Sequence, residues 1–119
     1  MAVAELDRAS IASFAATLRE LREELQGLLR SSAEGAKPVA LDQAAVGRLS
    51  RMDALQQQAM AQANRRQLQV RLRRCEAALE AIERDEYGLC RRCEEPIPIA
   101  RLEAMPEAPF CVHCQQQSH

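Results

Sequence analysis

Cys90-Arg-Arg-Cys-Glu-Glu-Pro-Ile-Pro-Ile-Ala-Arg-Leu-Glu-Ala-Met-Pro-Glu-Ala-Pro-Phe-Cys-Val-His-Cys114 carries the strongest structural signal in this chain. Its cysteines form two Cys-x-x-Cys pairs separated by 17 residues, within the range of a paired-knuckle zinc site. Each knuckle turns the chain back so that both of its sulfurs face one ion, and zinc takes four thiolates tetrahedrally at about 2.3 Å. The competing readings are a pair of disulfides or a redox centre. A redox Cys-x-x-Cys is ordinarily single and opens a helix in a βαβ setting, which this chain lacks. Cys90, Cys93, Cys111 and Cys114 are therefore expected to bind one structural Zn2+. With every coordination position taken by sulfur, none stays open for water or substrate, which argues against metal hydrolysis. Between the pairs, alternating Pro and Ile followed by Arg-Leu-Glu-Ala predicts a short extended stretch and a brief helical turn ended by Pro106. So short a module cannot bury enough surface to fold unaided, so zinc is expected to supply the missing stability.

Working outward, the residues before the module carry a helical pattern. From about Ala4 to Arg30 the apolar residues are Ile11, Phe14, Leu18, Leu21, Leu25 and Leu28, a heptad seam flanked by charges. Ser31 to Pro38 then reads as a breaker, since Gly35 and Pro38 oppose helix continuation. A second helix is expected from Asp42 as N-cap, with Leu41 and Val46 as a hydrophobic staple, to about residue 86. Its seam is expected to start with Leu49, Met52, Ala59 and Ala63 and to resume at Leu68, Leu72, Cys75, Leu79 and Ile82. Cys75 lies on that stripe and reads as a small core hydrophobe. A loop at 31–41 joins the helices as an antiparallel hairpin, which places Leu6 near residues 66 to 68 and lets the second helix project onto the zinc module. The expected fold is thus all-α: an antiparallel coiled-coil hairpin over 1–86 and a four-cysteine zinc finger with its tail over 87–119.

Composition agrees with thin helical packing. Hydrophobic residues make up 47% of the 119 residues, aromatics only 3%, and Trp is absent. Fifteen arginines and one lysine oppose 17 acids, for a net charge of −1, less basic than a free-standing nucleic-acid binder. Paired Cys-x-x-Cys motifs beside an unpaired fifth cysteine point to a reducing, cytoplasmic compartment. No apolar run approaches a membrane span. Both histidines, His113 and His119, are C-terminal, which leaves no catalytic constellation, and no enzymatic activity is expected.

The pattern Tyr87-Gly88-Leu-Cys90-x2-Cys93-x3-Ile97-x3-Arg101-Leu-Glu-Ala-x-Pro106-x4-Cys111-x2-Cys114 resembles the zinc finger of the DksA/TraR family of bacterial transcription regulators. The preceding helix-loop-helix resembles the coiled coil of the DksA branch. That resemblance implies a protein that binds RNA polymerase without contacting DNA, its hairpin tip entering the secondary channel towards the catalytic magnesium; pairing within the hairpin satisfies most of the seam and favours a monomer. It also implies a link to the stringent response through guanosine tetraphosphate. The branch's tip motif Asp-x-x-Asp-x-Ala has its nearest counterparts at Asp42-Gln-Ala-Ala45 and Ser50-Arg-Met-Asp53-Ala-Leu55, so Asp42, Arg48 and Asp53 are the tip candidates. As a cap, Asp42 also has a purely structural role. Arg74 and Arg101 match basic positions of the family, whereas Met105 and Gln115 stand where two others are basic, so polymerase binding is better retained than the alarmone response. Two alternatives remain: a zinc-ribbon nucleic-acid binder using Arg65, Arg66, Arg71, Arg73, Arg74, Arg91 and Arg92, and a coiled-coil adaptor for an unrelated partner. The first lacks stacking aromatics, and its arginines alternate with glutamates.

Overall fold

A capped helix opens the molecule. Asp7 accepts the Ser10 amide on its Oδ1 at 2.7 Å, and its carbonyl accepts the Ile11 amide at 3.0 Å. The first helix therefore begins at Arg8 and not near Ala4, because an aspartate side chain satisfies the free amides of a first turn. The computed structural model describes residues 6–35 and 51–117. In order, the helices are α1 (Arg8–Gly35), α2 (Arg51–Glu83), α3 (Ile99–Ala104) and α4 (Val112–Gln117). Among the described residues, β-structure is limited to one isolated antiparallel bridge, Leu89 to Pro96.

The first helix also ends later than its composition suggests. It runs through Ser31 to Gly35, residues expected in the tip loop. A tertiary brace holds this last turn. Ser32 Oγ donates to the Leu29 carbonyl at 3.1 Å, and Arg65 Nη1, from the opposite helix, donates to that carbonyl at 2.6 Å and to Ser32 Oγ at 3.0 Å. Gly35 then stands at the C-terminal end, where a glycine costs a helix little. The remainder of the expected loop, the Asp42 cap and the Leu41–Val46 staple lie outside the described residues.

The register of the hairpin follows from two contacts. Cys75, completely buried, donates its thiol to the Leu18 carbonyl at 2.9 Å, and Arg65 meets Leu29 as above. The midpoints of 18 with 75 and of 29 with 65 fall at residue 46 or 47. The expected fold-back about 31–41 is therefore displaced, and Leu6 does not lie near residues 66 to 68. Leu6 packs beside Gly88 and Leu102 instead, so the second helix does not project past the first. Matching of the two seams sets which residues of α1 and α2 face each other.

The seam of α2 differs from expectation in its distal half. Met52 is 77% exposed and Ala59 is exposed, while Leu49 lies outside the described residues. Instead Ala54, Gln58, Ala61 and Arg65 turn inward and continue without interruption the 4, 3 rhythm of Leu68, Leu72, Cys75, Leu79 and Ile82. Leu28, expected on the α1 seam, is 45% exposed, and the neighbouring Leu29 takes the half-buried position that meets Arg65 instead. Leu18 and Leu25 are fully buried.

At its other end α2 stops at Glu83, three residues short of the expected 86. Asp85 adopts a left-handed φ of 60°, the Glu86 amide bonds to the Ala81 carbonyl at 2.8 Å, and the Asp85 amide bonds to Ile82 at 3.2 Å. This is a Schellman stop, which turns the chain into the zinc module. One hydrophobic cluster then runs from the hairpin into that module, through Leu18, Cys75, Leu6, Tyr87, Ile97 and Leu102. Phe14 and Tyr87 pack with ring centroids 5.5 Å apart, so the start of α1 rests on the module as well. No helix among the described residues is long and apolar enough to cross a membrane.

Candidate metal centre

Backbone hydrogen bonds shape the first knuckle. The Glu94 amide bonds back to the Cys90 carbonyl at 2.9 Å, the Cys90 amide bonds to Glu95 at 2.8 Å, and the Ile97 amide bonds to Gly88 at 2.8 Å. Glu94 takes φ 62° to complete the tight turn. The expected extended stretch is the Leu89–Pro96 bridge, and the expected helical turn is α3, which starts after Pro98 and closes at Met105. Two contacts bring the second pair to the first. Arg91 donates its amide to the Pro109 carbonyl at 2.8 Å, and Arg101 Nε donates to the Phe110 carbonyl at 2.9 Å.

The result is a cluster in which the sulfurs of Cys90, Cys93, Cys111 and Cys114 all lie within 4.8 Å of one another. Sγ of Cys93 and Sγ of Cys111 are 3.9 Å apart. A tetrahedron with metal–sulfur bonds of about 2.3 Å has edges of about 3.8 Å, so the cluster has the dimensions that Zn2+ requires. Cys90 and Cys114 are buried, Cys111 is half-buried and Cys93 faces solvent.

Electrostatics give the same answer. The Cys114 thiol is pushed up to about 12, first by burial and then by the neighbouring sulfurs. At Cys90 burial also opposes ionisation, but amides near Cys93, Cys111 and Arg92 outweigh it and bring the thiol down to about 6. One such amide is visible as Arg92 N–H on Cys90 Sγ at 3.4 Å, and the Cys114 amide meets Cys111 Sγ at 3.5 Å. Amides aimed at sulfur hold thiolates, yet four thiolates this close repel one another unless a cation sits among them. The donor set fits one structural zinc, held by all four cysteines and closed to further ligands.

A residue with no signal in the sequence completes the seating of the finger. Glu107 is 2% exposed, and its Oε2 accepts Arg71 Nε of α2 at 3.0 Å. Its Oε1 is buried and has no hydrogen-bond partner among the described residues. Beside it, Tyr87 donates its hydroxyl to the Pro106 carbonyl at 2.9 Å. Burial, and next the Glu107 charge, raise both the Tyr87 phenol and the Cys75 thiol. Nothing in Met-Pro-Glu-Ala-Pro marks residue 107 as interior, since turns carry no periodicity.

The remaining expected site residues separate. Asp42 and Arg48 lie outside the described residues. Asp53 is exposed in the first described turn of α2, six or seven residues past the register midpoint. Arg101, matched to a basic contact position, is occupied within the finger by the Phe110 carbonyl. Arg74 lines a cleft of about 560 Å³ between α2 and the first knuckle, with Arg73, Arg84, Arg91 and Glu107 also on its walls.

Residues 85–118 match the family model of the prokaryotic dksA/traR C4-type zinc finger. An uncharacterized protein of Aquifex aeolicus is 46% identical over 46 residues, covering 39% of this chain and 32% of that protein. The RNA polymerase-binding transcription factor DksA of Haemophilus influenzae is 41% identical over 44 residues, 37% of this chain and 30% of its own length. DksA of Escherichia coli K12 is 36% identical over 44 residues, 37% of this chain and 29% of its own length. The matched stretch thus spans less than a third of each of these relatives. Among solved structures, transcription factor DksA2 from Pseudomonas aeruginosa superposes with a TM-score of 0.71 at 23% identity, over 94% of this chain and 84% of that one. At that identity the likeness carries the fold alone.

Proposed function

We propose that this protein, whose finger is of the DksA/TraR family, regulates bacterial transcription by binding RNA polymerase directly, with no DNA specificity of its own. The observation that carries this reading is the joint architecture. A DksA/TraR-type finger is fused through one continuous core to a hairpin, and the register places the reversal at the end remote from the zinc. Such a hairpin works as a probe: α2 alone, at 33 residues, is about 50 Å long. It reaches a site that the body of the protein does not enter, which in this reading is the secondary channel of polymerase.

At the tip, Asp42, Arg48 and Asp53 are the residues assigned to partner contact. Of these, Asp53 is exposed in the first described turn of α2, six or seven residues past the register midpoint. A carboxylate there offers an oxygen ligand or a negative charge near a catalytic magnesium. The zinc is structural and fixes the base of the probe. Arg74, on the wall of the cleft, remains a basic group available to an anionic effector such as guanosine tetraphosphate. Arg101 is assigned to bracing the finger, given its bond to Phe110. The protein acts as a monomer, since most of the seam is paired within the hairpin, and in the cytoplasm, since five free thiols suit a reducing compartment.

The test is transcription in vitro from a stable-RNA promoter with purified polymerase, using wild type, Asp42→Asn and Asp53→Asn, with and without guanosine tetraphosphate. Wild type is expected to change promoter-complex lifetime, and the tip variants to bind polymerase yet lose the effect. Absence of binding to core polymerase by the wild-type protein refutes the reading.

A further inference from the structure

The distal half of α2 distributes its side chains inside out. On the seam side are Ala54, Gln58, Ala61 and Arg65, small or polar residues at heptad positions that the proximal half fills with Leu68, Leu72 and Leu79. On the other side are Met52 at 77%, Leu55 at 47% and Met60 at 63% exposure, with exposed Ala59 and the uncharged Gln56 between them. At 100° per residue these positions fan over about 140° of the helix, from the flank of the seam at Leu55 to the side opposite it. From Ala54 to Asn64 the helix carries no charged residue, although charged residues make up 28% of the chain. Water is a poor neighbour for such a surface, and the poor seam behind it does not explain why three large apolar side chains were kept outside.

We propose that this outward face of α2, centred on Met52, Leu55 and Met60, is the surface by which the hairpin docks against an uncharged, apolar wall of its protein partner, which on the function proposed above is RNA polymerase. Two observations select that occupant. Three large side chains on one helix make an interaction site far smaller than the roughly 800 Å² per partner that a stable protein pair buries, so a second copy of this chain is not held by it alone. The patch also lies on the part of the hairpin nearest the reversal, so a partner that receives the tip must pass along it. The lack of charge from 54 to 64 excludes an acidic or basic groove as the mating surface, because neither would find a counter-charge there. Methionine suits a moving contact, since its unbranched thioether adapts to irregular apolar walls. The patch adds affinity along the shaft, and the tip acids then act at the end of it.

The experiment measures binding of fluorescently labelled, zinc-loaded full-length protein to core RNA polymerase. The variants are Met52→Gln/Leu55→Gln/Met60→Gln and, as a control of the same chemistry on the finger surface, Val112→Gln. Val112 is 49% exposed and lies at the opposite end of the molecule. The triple variant is expected to keep its helicity and zinc content and to bind at least about tenfold more weakly, while Val112→Gln binds as wild type. Equal binding by wild type and triple variant overturns the docking surface and leaves the function reading standing. So does an equal loss with Val112→Gln, which marks unspecific adhesion. A concentration-dependent dimer of the wild type that the triple variant loses, with polymerase binding intact, assigns the face to a second copy and also overturns it. A wild-type protein that does not bind polymerase overturns the function reading, and this assignment with it.

Discussion

Replacing Arg71 by alanine removes the cation paired with a carboxylate that the fold has buried. Glu107 is 2% exposed, one of its oxygens accepts Arg71 Nε at 3.0 Å, and the other has no partner among the described residues. Breaking a buried pair by deleting one member costs about 3–5 kcal/mol, because an uncompensated charge stays behind. Arg71 itself is 46% exposed, so water already screens part of this attraction, and the expected cost falls to about 2–3 kcal/mol. For a chain of this size that lowers Tm by about 10 °C. Glu107→Gln keeps the volume and one oxygen acceptor for Arg71 but no longer buries a charge, so it is expected within about 1 kcal/mol of wild type. The double variant Arg71→Ala/Glu107→Gln should therefore recover at least half of the loss. Urea unfolding followed by far-ultraviolet circular dichroism reads all four proteins, with free zinc held constant because bound metal contributes to apparent stability. A cost for Arg71→Ala below about 0.5 kcal/mol, or a double variant no better than the single one, refutes the view that this pair seats the finger on the hairpin.

Cys114→Ser should reduce bound zinc from one per chain towards zero, measured by elemental analysis, and should abolish protection of finger amides while most hairpin helicity persists, since zinc supplies about 10–16 kcal/mol to such modules. Gly88→Ala should destabilise by about 1–2 kcal/mol in the same urea assay. Its φ of +93° disfavours any side chain, and an added Cβ would stand 2.7 Å from Leu6 Cδ1. Arg65→Leu should raise Tm by a few degrees, because an apolar residue at a seam position strengthens a coiled coil that a polar one only specifies; a lower Tm would show that the bonds to Leu29 and Ser32 outweigh apolar burial. Asp7 supplies a pH-dependent contribution. Its carboxyl is held below the usual 3.8 chiefly by the Ser10 amide, so its stabilisation is fully present above the unfolded value and is lost as pH falls through the folded one. Nuclear magnetic resonance of the Ser10 amide should accordingly show a transition below pH 3.8 that Asp7→Ala removes.

The sites and elements divide by how local their signals are. Cys90, Cys93, Cys111 and Cys114 are legible because ligand spacing within a knuckle is covalent geometry, and the structure brings all four sulfurs together. Leu18, Leu25 and Leu68 to Ile82 are legible because heptad spacing repeats. Met52, Ala59 and Leu28 mislead, since an apolar residue in rhythm with its neighbours on one helix tells nothing about what stands opposite on the other. Leu29 and not Leu28 meets α2 at this level, where Arg65 occupies a seam position and its guanidinium finds the Leu29 carbonyl and the Ser32 hydroxyl. Ser31 to Gly35 mislead for a related reason: their composition reads as a loop, but Arg65, thirty residues or more away in sequence, holds them as helix. Asp7 carries a local signal too, as an acid three residues before a helical serine, although the apolar pattern around it suggests an earlier start.

By itself the sequence determined that this is a helical hairpin with a four-cysteine zinc module of one recognisable type, because ligand spacing and heptad period are properties of neighbouring residues. Only the tertiary structure decided the register, the seating of Leu6 and Phe14 on the finger, the buried Arg71–Glu107 pair and the outward turn of Met52, Leu55 and Met60. Each of these depends on which surfaces of two distant segments fit each other. A heptad pattern repeats every seven residues, so it permits several registers of nearly equal apolar content. The choice among them falls to a few specific contacts, here Cys75 with Leu18 and Arg65 with Leu29, and to the packing of the helix ends on the zinc module.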